Sequence, residues 1–344
     1  MPIHDRSLLD DVVETTDDVS EPAPQSGATP FVELGQRLTS LIIGKDRAVE
    51  HLLVALLCDG HVLLEGAPGL AKTRIARLLA TAIQGTYKRM QFTPDLLPSD
   101  LIGASIYNAS DHRFEFQPGP VFANFILADE INRAPAKVQS ALLEAMEERQ
   151  VTSGETTYPL DAPFFVIATQ NPIEHEGTWD LPQAQLDRFA VQIIVDYPRA
   201  PDEREILDLA LRESTAAPAS DPLPVISKAE LAAARANVAA VHLSDVVRDY
   251  IVRLIAATRG DPVPIDGVGE HLSHPISPRG TILLARAAQA RAWLHQRDYV
   301  TPEDVVALAP DVLRHRIGLT YRAEADGVPP DRIVAKLLEV VDVV

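Results

Sequence analysis

An apolar run, Val62-Leu63-Leu64, leads into Gly66-Ala67-Pro68-Gly69-Leu70-Ala71-Lys72-Thr73, and no other segment narrows the fold as far. A strand that ends in a glycine-bearing loop and turns into a helix gathers backbone N–H groups at the strand's C-terminal edge. That arrangement belongs to α/β sheets and favours a bound phosphate. The loop departs from the simple P-loop spacing, because Ala71 occupies the place of its second glycine. Pro68 and Gly69 still permit a tight turn, so Gly66, Ala67, Pro68, Gly69, Leu70 and Ala71 can wrap a β-phosphate. Lys72 would then reach the β- and γ-oxygens, and Thr73 would offer its hydroxyl to Mg²⁺.

A second apolar run, Phe125-Ile126-Leu127-Ala128, ends in two acids, Asp129 and Glu130. Asp129 at a strand's end suits the Mg²⁺ shell beside Thr73. Glu130 next to it can polarise an attacking water as a general base. Phe164 to Ala168 reads as another buried strand, followed by Thr169-Gln170-Asn171-Pro172. Asn171 there can hold the water or the γ-phosphate, or it is simply a turn residue before proline. Arg188 lies just before the last strand, where it folds back onto its own phosphates only with difficulty. It can instead point at a neighbour's phosphates, as arginines supplied in trans do, or pair locally with Asp187. Arg279, at the start of a helical segment, is a second candidate for the γ-phosphate.

The wider pattern divides the chain. Residues 1–30 carry seven acids against Arg6 and few large apolar groups, which predicts a disordered acidic tail. Over residues 31–198, short apolar runs alternate with helical periodicity, the pattern of an α/β domain with a largely parallel sheet. Residues 103–118 and 149–160 interrupt it, each reading as a β-hairpin. Over residues 199–344 the strand signals fade. Helical segments are expected at 202–213, 227–240, 243–258, 278–296, 302–309 and 329–343, with 259–276 a long loop. Ser277-Pro278 and Thr301-Pro302 set a cap residue before a first-turn proline.

Composition excludes several classes. The net charge of −18 argues against a surface built to neutralise nucleic-acid phosphates. Cys58 is the single cysteine, so no intrachain disulfide can form, and its helical context predicts a small core residue. No apolar stretch approaches the roughly 18 residues that span a bilayer, and the N-terminus lacks a signal-peptide layout. A soluble, cytoplasmic protein is the expectation.

Taken together, the runs GAPGLAKT (66–73), QFTPDLLPSDLIG (91–103), the 114–152 stretch around LADEINRAPAKVQSALLEAMEERQ, FFVIATQNPIEHEGTWDLPQAQLDRF (164–189) and SPRG (277–280) resemble the MoxR family of AAA+ ATPases. The resemblance covers roughly residues 34–322. It implies a P-loop AAA+ core with a parallel five-stranded sheet and β-hairpin inserts, followed by a smaller all-α lid domain. It makes Lys72 and Thr73 Walker A, Asp129 and Glu130 Walker B, Asn171 sensor 1, Arg188 the arginine finger and Arg279 sensor 2. Ile43 and Gly44 match the segment that flanks the adenine. The family's loop carries alanine where Ala71 stands, so that departure becomes support. Also implied are ATP and Mg²⁺ as cofactors, a homo-oligomeric, hexameric ring, and a partner protein with a von Willebrand factor A domain. An ATPase subunit of a magnesium- or cobalt-chelatase shares both inserts and is the alternative. A nucleic-acid motor fits less well, since the hairpins hold only Arg113 in 103–118 and no Lys or Arg in 151–160. An ATP-switched scaffold fits less well too, because Glu130 and Arg188 are intact.

Overall fold

A computed structural model of the 344-residue chain describes residues 27–110, 112–172, 177–215 and 223–343. Helices α1 (Thr29–Leu41) and α2 (Asp46–Leu57) come first, then β1 (Val62–Glu65), the phosphate loop and α3 (Lys72–Thr81). Strand β2 (Tyr87–Gln91) and the short α4 (Pro98–Ile102) lead into a hairpin of β3 (Gly103–Asn108) and β4 (Arg113–Pro118). Next come β5 (Phe125–Asp129), α5 (Ala136–Glu148) and a second hairpin, β6 (Gln150–Ser153) with β7 (Thr156–Pro159). Strand β8 (Phe165–Gln170), one turn of α6 (Gln183–Leu186) and β9 (Val191–Ile194) complete the core. The remainder is α7 (Ala200–Thr215), α8 (Lys228–Ala240), α9 (Asp245–Ala257), β10 (Leu272–His274), α10 (Pro278–Leu294), α11 (Pro302–Leu313), β11 (Gly318–Leu319), α12 (Tyr321–Ala325) and α13 (Pro330–Val340).

Five strands form one parallel sheet in the order β2-β5-β8-β1-β9. Every residue of β5 is buried, as a strand covered by helices on both faces requires. Side chains alternate between two cores. Leu63, Ile126 and Val166 face α4 and α5, whereas Leu64, Phe125 and Ile167 face α1, α2 and α3. Each such side chain contributes about 1.5–3 kcal/mol through burial. Because parallel strands all end at one edge, the register sets Glu65 opposite Gln170 and Gln91 opposite Asp129. The phosphate loop, the acid pair and Asn171 therefore leave the sheet side by side.

Both expected hairpins are present, paired from Gly103 with Pro118 to Asn108 with Arg113 and from Gln150 with Pro159 to Ser153 with Thr156. The helical half shares the core of α1–α3. Trp293 on α10 meets Phe31 on α1 edge to face at 5.5 Å, and both are buried. Cys58 is buried at the end of α2, and burial pushes its thiol up to about 11.

Four expectations need correction. Most of the acidic tail, residues 1–26, lies outside the described residues, but Ala28 is buried and α1 already begins at Thr29. The helix expected to stop at 309 runs through Pro310 to Leu313. The carbonyl that loses its partner to proline belongs to Val306, which is on the exposed side, while Leu308, Ala309 and Val312 stay packed. The lid is not purely helical, because β10 and β11 form a two-stranded antiparallel ladder, and β10 lies inside the segment read as a loop. A pair of strands that short leaves no periodic signal. Finally, Ser277 does not cap α10 with its side chain; its hydroxyl donates to Asp187 at 3.1 Å. No described helix is long and apolar enough to cross a membrane.

Candidate nucleotide site

The loop after β1 is shaped by two backbone requirements. A Cβ on Gly66 would lie 2.5 Å from the carbonyl oxygen of Val195, so only glycine fits beneath the sheet edge. Ala71 adopts φ 62°, ψ 15°, a left-handed conformation that costs a non-glycine residue about 1 kcal/mol or more. That kink turns the chain into α3 and leaves the helix's first N–H groups aimed into the loop. Lys72 Nζ donates to the carbonyls of Gly66 and, at 2.9 Å, Ala67, so the ammonium sits inside the curve of the loop.

The loop faces a groove of about 420 Å³ lined by Lys72, Thr73, Asp129, Glu130 and Asn171. Thr73 Oγ1 lies 3.4 Å from Asp129 Oδ2, and Thr169 donates to Asp129 Oδ1 at 2.7 Å. Thr169 Oγ1 also accepts the N–H of Glu130 at 2.9 Å, which fixes the turn after β5. Glu130 itself is left-handed at φ 57°, ψ 53°. Such strain clusters where a side chain must be aimed against the local backbone preference. Its carboxylate accepts from Gln91 Nε2 at 2.8 Å and Arg133 Nη1 at 2.9 Å. Asn171 is buried, and its carbonyl lies 3.5 Å from Asn132 Nδ2.

Three groups at this groove escaped the sequence reading. Arg89 Nη2 and Nε donate to Asp129 Oδ2 at 2.6 and 3.1 Å, a cation placed on the carboxylate expected to serve Mg²⁺. Gln91 and Thr169 hold Glu130 and Asp129 from the strands on either side. The signal for Arg89 and Gln91 was their spacing. Two polar side chains at i and i+2 on one face of an otherwise ordinary strand, paired with β5, project beside its acids.

A second cavity of about 380 Å³ adjoins the loop. Ile43 and Leu70 form one side and Ile206, Leu209 and Ala210 of α7 the other, so the helical half closes a largely apolar slot. Its largely apolar lining suits a purine base. Gly44 does not line this slot. At φ +72° it packs against Asp202, and its neighbour Lys45 donates to the carbonyl of Asp196.

Arg188 and Arg279 line neither cavity. They meet each other instead, on Glu147 at the last turn of α5. Arg188 Nε lies 2.9 Å from Glu147 Oε2, and Arg279 Nη2 pairs with Glu147 Oε1. Asp187 takes Arg316 Nε at 2.9 Å rather than Arg188, with Arg279 at 4.0 Å. Two buried histidines brace this region. Val166 N donates to His61 Nδ1 at 3.1 Å, and His61 Nε2 donates to the Met146 carbonyl at 3.2 Å, one residue before Glu147. Burial pushes the His61 ring down to about 3, so it stays neutral. His315 lies 3.1 Å from the Phe189 carbonyl, one residue after Arg188, and burial, with Arg316 beside it, holds it well below its ordinary range.

A model of the ATPase family associated with various cellular activities matches residues 61–191, and an AAA lid domain model matches residues 268–337. The chain is 46% identical to Chaperone MoxR1 of Mycobacterium tuberculosis, over 88% of this chain and 79% of that protein. It is 36% identical to Protein MoxR of Paracoccus denitrificans, over 89% and 94% of the two chains. A crystal structure from Cytophaga hutchinsonii superposes with a TM-score of 0.82 at 43% identity, covering 92% of this chain and 95% of the other.

Proposed function

This chain belongs to the MoxR family of AAA+ ATPases and is a chaperone-like enzyme that hydrolyses ATP; we propose that it works as a hexameric ring whose catalytic sites are each shared by two subunits. The observation that carries this reading is the separation of its parts. Lys72, Thr73, Asp129, Glu130 and Asn171 face one groove, while Arg188 and Arg279 converge elsewhere on the same subunit. A neighbour's arginines then complete each groove, in the manner of an arginine supplied in trans. A heterologous contact of this kind closes into a ring when its rotation allows.

Within the groove, the loop from Gly66 to Ala71 holds the β-phosphate and Lys72 swings from the loop carbonyls to the γ-oxygens. The oxygen donors of Thr73 and Asp129 suit Mg²⁺, which when bound would neutralise charge on the β- and γ-phosphates. Arg89 already balances Asp129 with positive charge and must yield that position. Glu130 accepts a proton from the water as the water oxygen bonds to the γ-phosphorus and the bond to the departing ADP oxygen breaks. Once that proton passes to the released phosphate or to solvent, the carboxylate returns to Gln91 and Arg133. Asn171 orients the water. The base occupies the slot between Ile43 and α7.

The energy is spent on a partner protein, with a von Willebrand factor A domain protein in the cytoplasm as the expected client. Glu130→Gln should keep ATP bound and lower turnover about 10²- to 10⁴-fold. Unchanged turnover overturns the assignment of the base. The same variant, held with ATP, is the bait of choice for capturing the partner.

A further inference from the structure

Glu147 has no part in nucleotide contact as described so far, yet it receives both arginines. We propose that Glu147 is the positioning residue of the arginine pair, aligning Arg188 and Arg279 as one unit for the neighbouring subunit's γ-phosphate. The proposal rests on the shared-site reading above and adds a residue to it.

Three features carry it. First, the nearest approach is through Arg188 Nε, at the stem side of the guanidinium, which leaves its outer edge to face a neighbour. A phosphate can therefore be met without breaking the pair. Second, the carboxylate draws together side chains from two parts of the fold, Arg188 beside the core strand β9 and Arg279 on α10 of the lid. Without it, Asp187, already paired with Arg316 at 2.9 Å, would be the carboxylate left to Arg279 at 4.0 Å, and like charges would spread the pair apart. Third, Glu147 is itself fixed. It lies in the last turn of a 13-residue helix, and His61 bonds the carbonyl of Met146 in that same turn. All three side chains stay partly exposed, between 29% and 38%, as a surface that meets a neighbour needs.

Misplacing a catalytic group by about 1 Å can cost on the order of 100-fold in rate. Glu147→Ala should accordingly lower kcat about 10- to 100-fold and leave KM for ATP within about twofold, because its own phosphate groove is intact. Glu147→Gln, which keeps the shape and one acceptor oxygen, should lose less, and it keeps the test open where the alanine variant fails to fold. A rise in kcat overturns the proposal, since it would mean that Glu147 restrains the arginines.

The deciding measurement mixes variants. Lys72→Ala disables a subunit's own groove and leaves its arginine face intact; Glu147→Ala does the reverse. In an equimolar mixture about a quarter of interfaces join two intact faces, so ATPase activity should rise well above the mean of the separate proteins. A mixture of Lys72→Ala with Arg188→Ala serves as the control. Recovery in both mixtures supports the proposal. Recovery in the control alone shows that Glu147 acts within its own subunit, and the proposal falls. Failure of the control removes the shared site, and the proposal with it.

Discussion

The phosphate face and the arginine face of this subunit differ in how their charges are satisfied. On the phosphate face, groups from neighbouring strand ends all point into one groove, and the acids are balanced by Arg89 and Arg133. On the arginine face the order is reversed. Two cations share one carboxylate, Glu147, and no described cavity of the same subunit offers them a phosphate. On the reading proposed above, the first face receives a neighbour's positive charge at the γ-phosphate, and the second supplies it. In the proposed ring the two are complementary halves. A ring of the proposed kind would bind nucleotide in each subunit's own groove while reserving turnover for assembly.

The sharpest way to break this comparison is to remove one half at a time. Lys72→Ala should abolish nucleotide binding, whereas Arg188→Ala should leave binding within about twofold and lower turnover about a thousandfold. Equal loss of binding in both variants, by nucleotide titration, would erase the distinction. Dilution is the next test. Specific activity should fall several-fold as the protein is diluted below its assembly range while nucleotide affinity holds, and a flat profile argues against a shared site.

Acid should separate the halves further. His61 and His315 bond the backbone beside Glu147 and Arg188, and both are held neutral by burial. A ring with its folded-state pKa near 3 and an unfolded value near 6.5 favours the fold fully above pH 6.5. As the pH falls below that value, the unfolded chain binds the proton first and the stabilisation drains away toward pH 3. The urea midpoint should drop between pH 7 and 4.5, with a loss of about 2 to 3 kcal/mol for His61. A midpoint that does not move would show that these rings are not load-carrying. The smallest effect belongs to the loop. Ala71→Gly relieves a left-handed alanine but frees the unfolded chain, so stability should change by less than about 1 kcal/mol and kcat by less than twofold. A larger fall in kcat would give the methyl group a role in shaping the cradle.

How far the chain could be read in advance follows the same division. The phosphate face was legible because each element announces itself locally. Gly66 to Thr73 follows an apolar run, Asp129-Glu130 ends another, and a parallel sheet brings their ends together whatever the rest of the chain does. The supporting groups were harder. Arg89 and Gln91 matter only through the pairing of β2 with β5, and strand order is not written in any one segment. Glu147 could not have been found this way. Its partners lie 41 and 132 positions away, on a loop and on the lid, and one glutamate among Glu144, Glu147 and Glu148 carries no mark of its own. Ser277 misled for the same reason, since a hydroxyl before Pro278 looks like a cap until Asp187 arrives to claim it.

The two hairpins, separated in sequence by β5 and α5, touch through their aromatic rings. Phe116 of the first stacks on Tyr158 of the second with centroids 4.3 Å apart and planes 15° from parallel, and Phe122 closes against both. A stacked pair adds about 1 kcal/mol to its burial, enough to keep the rings joined several times as often as apart. The second hairpin begins at Gln150, one residue after α5 is capped by Arg149. Mechanically, then, the two inserts are one handle rather than two. A load applied at the exposed tip, where Tyr107 and Phe114 stand in contact, arrives at the root of the second hairpin and so at the end of α5.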